Sequence, residues 1–109
     1  MLSNHGGRQL DGSRSPFDQL EKFVNAVGGK IEIIVDGGIR RGTHVLKALS
    51  LGATACSFGK GYLFALSAGG QKGVEMILQR MKDELRRDMI LLGKKKISDL
   101  SKDNIAFRD

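Results

Sequence analysis

Residues 31–42 read Ile31-Glu32-Ile33-Ile34-Val35-Asp36-Gly37-Gly38-Ile39-Arg40-Arg41-Gly42, and Thr43-His44-Val45-Leu46-Lys47-Ala48-Leu49-Ser50-Leu51 follow directly. Ile31 to Val35 is β-branched and largely apolar, as a parallel strand buried on both faces must be. Paired glycines stop it and permit a tight turn. Val45, Leu46 and Leu49 then fall on one face of a helix over residues 43–51, which Gly52 ends. A strand, a glycine turn, a basic pair and a helix in that order make one unit of a parallel α/β protein.

The same grammar extends in both directions. Upstream, residues 3–14 read as loop, and Ser15 caps a helix whose first position is Pro16. Asp18 stands three residues past the cap; Phe17, Leu20, Val24 and Val27 give the helix its apolar face, and Gly28-Gly29 ends it. Downstream, Ala53 to Phe58 is a second, weaker strand closed by Gly59-Lys60-Gly61, and Tyr62 to Ser67 is a short helix. Residues 71–92 carry Val74, Ile77, Leu78, Met81, Leu85, Met89 and Leu92 at helical spacing, and Gly93 stops that helix. A last short helix is expected over residues 98–103, with a frayed tail beyond.

Two strands are too few for a stable parallel sheet, and the loop at Ser3 begins as though a strand should precede it. The chain therefore reads as one incomplete domain over residues 1–109. The fold class is α/β: a partial TIM (β/α)8 barrel, its last three β/α units without the first strand, plus a C-terminal helix. A whole barrel takes about 250 residues.

Composition narrows the function classes. The net charge is +6, but the Lys94-Lys95-Lys96 cluster has few aromatics beside it and no nucleic-acid motif, so it reads as a solvated helix end. No apolar run approaches a membrane span, Met1 to Gly7 does not read as a secretory signal, and the single Cys56 fits a reducing compartment. Cys56 and Tyr62 are read as packing residues and His44 as a surface one; no metal ligand set is assigned.

Three constellations carry chemistry. In Ser3-Asn4-His5-Gly6-Gly7-Arg8-Gln9-Leu10-Asp11-Gly12, an imidazole suited to proton transfer stands three positions from a guanidinium that matches a carboxylate. His5 and Arg8 can therefore face one small acid. In Asp36-Gly37-Gly38-Ile39-Arg40-Arg41-Gly42, glycine N–H groups, a helix N-terminus and Arg40 or Arg41 can cradle a phosphate, with Asp36 free to accept from a sugar-like hydroxyl. Gly59-Lys60-Gly61 is a second strand-to-helix turn, and adjacent turns at the ends of a barrel's last strands commonly share one phosphate site.

The runs SNHGGRQLDG (residues 3–12) and DGGIRRGTHVLKALSLGA (residues 36–53) resemble the FMN-dependent α-hydroxy-acid dehydrogenase/oxidase family, the L-lactate dehydrogenase and glycolate oxidase type, over about residues 3–93. The resemblance implies a TIM barrel, FMN as cofactor, and oxidation of a small L-2-hydroxy acid to the 2-keto acid. It implies His5 as the base that takes a proton from the substrate and Arg8 as the carboxylate ligand. Ser3 would touch the flavin; Asp36, Gly37, Gly38, Ile39 and Arg40 would line the ribityl phosphate; Gly59 and Lys60 would close its seat. It further implies a homo-oligomeric parent; the chain is expected to be cytoplasmic or peripheral to a membrane, and the basic cluster without a motif to have no nucleic-acid partner. Lys60 stands where the family usually has arginine, and Gly61 where proline often follows. The lysine facing the flavin, the aspartate orienting the histidine and the pocket tyrosines belong to earlier strands, so the alternative is a fragment without independent activity.

Overall fold

A computed structural model describes residues 1–107; the last two residues of the tail expected to fray lie outside the described ones. Three parallel strands lie in the order β1 (Leu2–Ser3), β2 (Ile34–Asp36) and β3 (Ala55–Ser57). Leu2 pairs with Val35 and Ser3 with Asp36, while Val35 pairs with Cys56 and Asp36 with Ser57. The sequence reading had no strand before the first loop; Leu2–Ser3 supplies one, because parallel pairing with β2 needs only the backbone of two residues. The unit is thus β1-α1-β2-α2-β3-α3, with α1 Pro16–Val27, α2 Gly42–Ser50 and α3 Lys60–Leu91.

The caps behave as their residues dictate. Ser15 Oγ accepts from the Asp18 N–H at 3.2 Å, Pro16 opens α1, and Gly28 closes it in the left-handed region at φ 55°. Leu20 and Val35 are fully buried and, with Ile33, Ala48, Leu51 and Ala53, form the core between α1, α2 and the sheet. Phe17, Val24 and Val27 pack against it.

Both strands are shorter than their sequences suggested. Ile31 is 63% exposed, and the Ile33 N–H bonds the Thr54 hydroxyl at 3.1 Å instead of a neighbouring strand. The two expected helices after β3 run together as α3, broken at Gly70, whose φ of 56° and ψ of −142° are not helical. The second limb folds close against the first, since a Cβ on Gly73 would lie 2.1 Å from the Ala65 carbonyl oxygen. The apolar stripe of this limb is only partly covered: Met81 and Met89 are buried, while Leu78 is 51% and Leu92 40% exposed. The last short helix is replaced by two single 3-10 turns, Ile97–Asp99 and Lys102–Asn104. Among the described residues, no helix is long and apolar enough to cross a membrane.

α2 docks on α3 through polar contacts at its first turn. Gly42 N–H donates to Glu84 Oε2 at 2.8 Å, and Thr43 Oγ1 donates to Asp88 Oδ2 at 2.5 Å. Glu84 is buried, with Arg80 Nε at 3.3 Å and Arg41 Nε at 3.6 Å from Oε1. The Gly42 N–H holds the Glu84 carboxyl below its ordinary 4.5, helped by Arg80 and Arg41 and opposed by burial. The Thr43 hydroxyl holds Asp88 below 3.8, with Arg87 adding to it. Carboxyls whose folded values lie below their unfolded ones stabilise the fold above the unfolded values, and that contribution disappears as pH falls through the folded ones. Urea midpoints are therefore expected to drop between about pH 5 and pH 3, and Glu84→Gln to flatten that slope. A slope identical in Glu84→Gln would remove Glu84 from this role.

Candidate functional site

All three sequence constellations meet at one end of the sheet. An open cleft of about 560 Å³ is lined by His5, Gly6 and Arg8 from the loop after β1, by Asp36 at the end of β2 and Gly37 to Arg40 from the turn beyond it, and by Gly59 to Gly61 where β3 passes into α3. The parallel order explains the meeting, because equivalent ends of adjacent strands lie side by side. Of the ten residues predicted for the site, Ser3 alone does not line the cleft.

Ser3 acts one step back. Its hydroxyl donates to Asp36 Oδ2 at 2.7 Å and accepts the His5 N–H at 3.0 Å. Asn4 Oδ1 accepts the Gly6 N–H at 3.1 Å. These bonds hold an unfavourable turn: His5 has φ 55°, followed by Gly6 at 65° and Gly7 at 74°. For an L-residue the left-handed region costs about 1–2 kcal/mol, and His5 is the one non-glycine there among the described residues. Asp36, expected to meet a ribityl hydroxyl, already accepts from Ser3 with one oxygen and keeps its other lone pairs for the cleft.

The two helix N-termini differ in availability. The sequence reading placed the start of α2 at the anion site, but its Gly42 N–H is taken by Glu84. The start of α3 has no side-chain cap, and Gly59, Lys60 and Gly61 face the cleft. The paired arginines part in the same way. Arg40 lines the cleft, whereas Arg41 turns to Glu84 on the outer side.

His44, read from sequence as a surface residue, supports this turn: its Nδ1 accepts the Arg40 N–H at 3.2 Å. The four-residue spacing from Arg40 was the only sequence signal for it. Glu84 and Asp88 gave none, since their partners lie 42 and 45 residues away. Cys56 is half-buried in β3, and burial pushes its thiol up to about 11, which keeps it protonated and unreactive.

A family model described as FMN-dependent dehydrogenase matches residues 1–107. The chain belongs to the FMN-dependent dehydrogenase family. L-lactate oxidase of Nostoc sp. is 46% identical to this family member over 100 residues, 92% of the chain and 27% of that protein. Spinach (Spinacia oleracea) glycolate oxidase is 43% identical over 97% of the chain and 29% of its own length. Among solved structures, a soluble mutant of the membrane-associated (S)-mandelate dehydrogenase from Pseudomonas putida superposes with a TM-score of 0.89 at 41% identity, covering 94% of this chain and 29% of that one. The chain spans between 20% and 30% of the length of the curated relatives it matches.

FMN, the family's cofactor, fits the donor set of the cleft. A Cβ built on Gly38 or Gly59 would meet no protein atom within 4 Å, so backbone at both turns opens onto free space. Arg40 and Lys60 flank that space with the uncapped start of α3. Two cations and unpaired N–H groups suit a phosphate dianion.

Proposed function

We propose that residues 1–109 form the C-terminal portion of a (β/α)8 barrel that oxidises a small L-2-hydroxy acid to the 2-keto acid with FMN. The single observation that carries this reading is the shared cleft, in which an imidazole and a guanidinium stand beside an uncapped, doubly cationic helix start. Arg40, Lys60, Gly38 and Gly59 would hold the ribityl phosphate. Arg8 would bind the substrate carboxylate through its fork. His5 would take a proton from the substrate, and FMN, when bound, would accept the two electrons released. Ser3 and Asp36 would set the His5 turn.

Two features support the rest of a barrel as the covering of this unit. The outer edges of β1 and β3 pair with no strand among the described residues, and Tyr62, Leu63, Phe64 and Leu66 of the first limb of α3 are all more than 40% exposed. No side chain among those described hydrogen-bonds the His5 ring, which leaves tautomer control to a group on another strand. The same features favour a second reading for the chain by itself, namely a fragment that binds little FMN and turns over nothing.

The test is anaerobic addition of L-lactate or glycolate to the barrel with its preceding units restored. Bleaching of the flavin absorbance, with the chain alone colourless, is the expected result. A full-length protein that purifies without flavin, or whose flavin no 2-hydroxy acid bleaches, would defeat the proposal.

A further inference from the structure

Lys60 joins two parts of the cleft that the proposed function treats separately. It opens α3 and lines the seat with Gly59 and Arg40. Its Nζ also donates to the Gly6 carbonyl oxygen at 3.0 Å. That carbonyl belongs to the left-handed turn carrying His5. Ser3 and Asn4 hold the N–H groups of this turn; among the described residues Lys60 is the only donor to the Gly6 carbonyl. The lysine stem packs there too, since a Cβ on Gly6 would lie 3.6 Å from Lys60 Cε. An ammonium has three protons; one goes to Gly6, and two are left for an anion.

We propose that Lys60 is a positioning residue for His5, fixing the His5–Gly7 turn through the Gly6 carbonyl with the same ammonium that faces the phosphate seat. Filling the seat and orienting the imidazole are then coupled. This coupling rests on the phosphate-seat reading above, whereas the tether itself does not. A lysine suits the task because its point charge serves two acceptors in different directions, which a planar guanidinium does less freely.

Hydrogen–deuterium exchange on this chain, Lys60→Met and Lys60→Arg tests it, alongside flavin-fluorescence titrations with FMN and with riboflavin. Lys60→Met keeps the stem and removes the donor. Exchange at His5, Gly6 and Gly7 is expected to rise about five-fold, the effect of one hydrogen bond, with α1 and α2 unchanged. Lys60→Arg returns it to within about two-fold, since a donor is restored. In the barrel with its preceding units restored, saturating FMN, but not riboflavin, slows the same amides in the wild type and not in Lys60→Met. Wild-type exchange at these amides in Lys60→Met overturns the proposal, as does a rise shared by α1 and α2. If the restored barrel fails to bind FMN while Lys60→Met still loosens the turn, the tether stands and the phosphate seat falls.

Discussion

Replacing His5 with Gln in the full-length barrel is expected to cut turnover of a 2-hydroxy acid by at least ~10²-fold, the usual worth of a general base. Glutamine keeps bulk and hydrogen-bonding capacity but cannot take up a proton. Both kcat and kcat/KM should fall together, because the lost interaction belongs to the transition state and not to ground-state binding. Arg8, the proposed carboxylate ligand, is untouched, so KM should change little. Flavin content supplies the control. His5 lies in the loop after β1, whereas the proposed phosphate ligands lie in the turns after β2 and β3. The variant should therefore purify with as much FMN as the wild type. Unchanged turnover at full flavin content would take the base role from His5.

The second large effect is structural. Gly42→Ala would place a Cβ 2.2 Å from the Met81 carbonyl oxygen, 2.5 Å from the Leu85 nitrogen and 2.7 Å from Glu84 Cβ. Two of these atoms are backbone of α3 and cannot rotate aside, so α2 must move away. Overpacking typically costs about 1–3 kcal/mol. The upper end, about 3 kcal/mol, is expected because displacement also strips buried Glu84 of its Gly42 donor. That is a large share of the roughly 5–15 kcal/mol a domain commands. Because α2 anchors the turn holding Arg40, phosphate binding should weaken with stability. Gly12→Ala is the control: its Cβ would meet nothing within 4 Å, so its urea midpoint should not move. Equal midpoints for the two variants would mean α2 does not dock as described.

Local chemistry made much of this legible in the sequence. Ser15, Pro16 and Gly28 marked the ends of α1 because caps act within a few residues, and the apolar spacing after residue 71 marked the second limb of α3 as a helix of its own. The sharing of one site by the turns at Gly38–Arg40 and Gly59–Lys60 followed from strand adjacency, whereas His5 was joined to them through the family resemblance. What escaped the reading depended on distant partners. The pairing of Leu2–Ser3 with β2, the capture of Gly42 by Glu84 and the turning of Arg41 away from the cleft all join residues tens of positions apart. Ile31 looked like a buried strand residue by composition, yet pairing begins only at Ile34. The bond His44 accepts from Arg40 was not foreseen, because a four-residue spacing early on a helix does not by itself mark a side chain that accepts a turn N–H.

The proposed phosphate seat lies between the turns after β2 and β3, with Arg40 inside it and Arg41 outside. The affinity ratio of FMN to riboflavin in the full-length enzyme isolates the phosphate from the ring. Arg40→Met should lower that ratio about ten-fold or more, the loss of one charge-assisted contact, and Arg41→Met should leave it where it was. A ratio that falls equally in both variants, or in neither, would contradict the account.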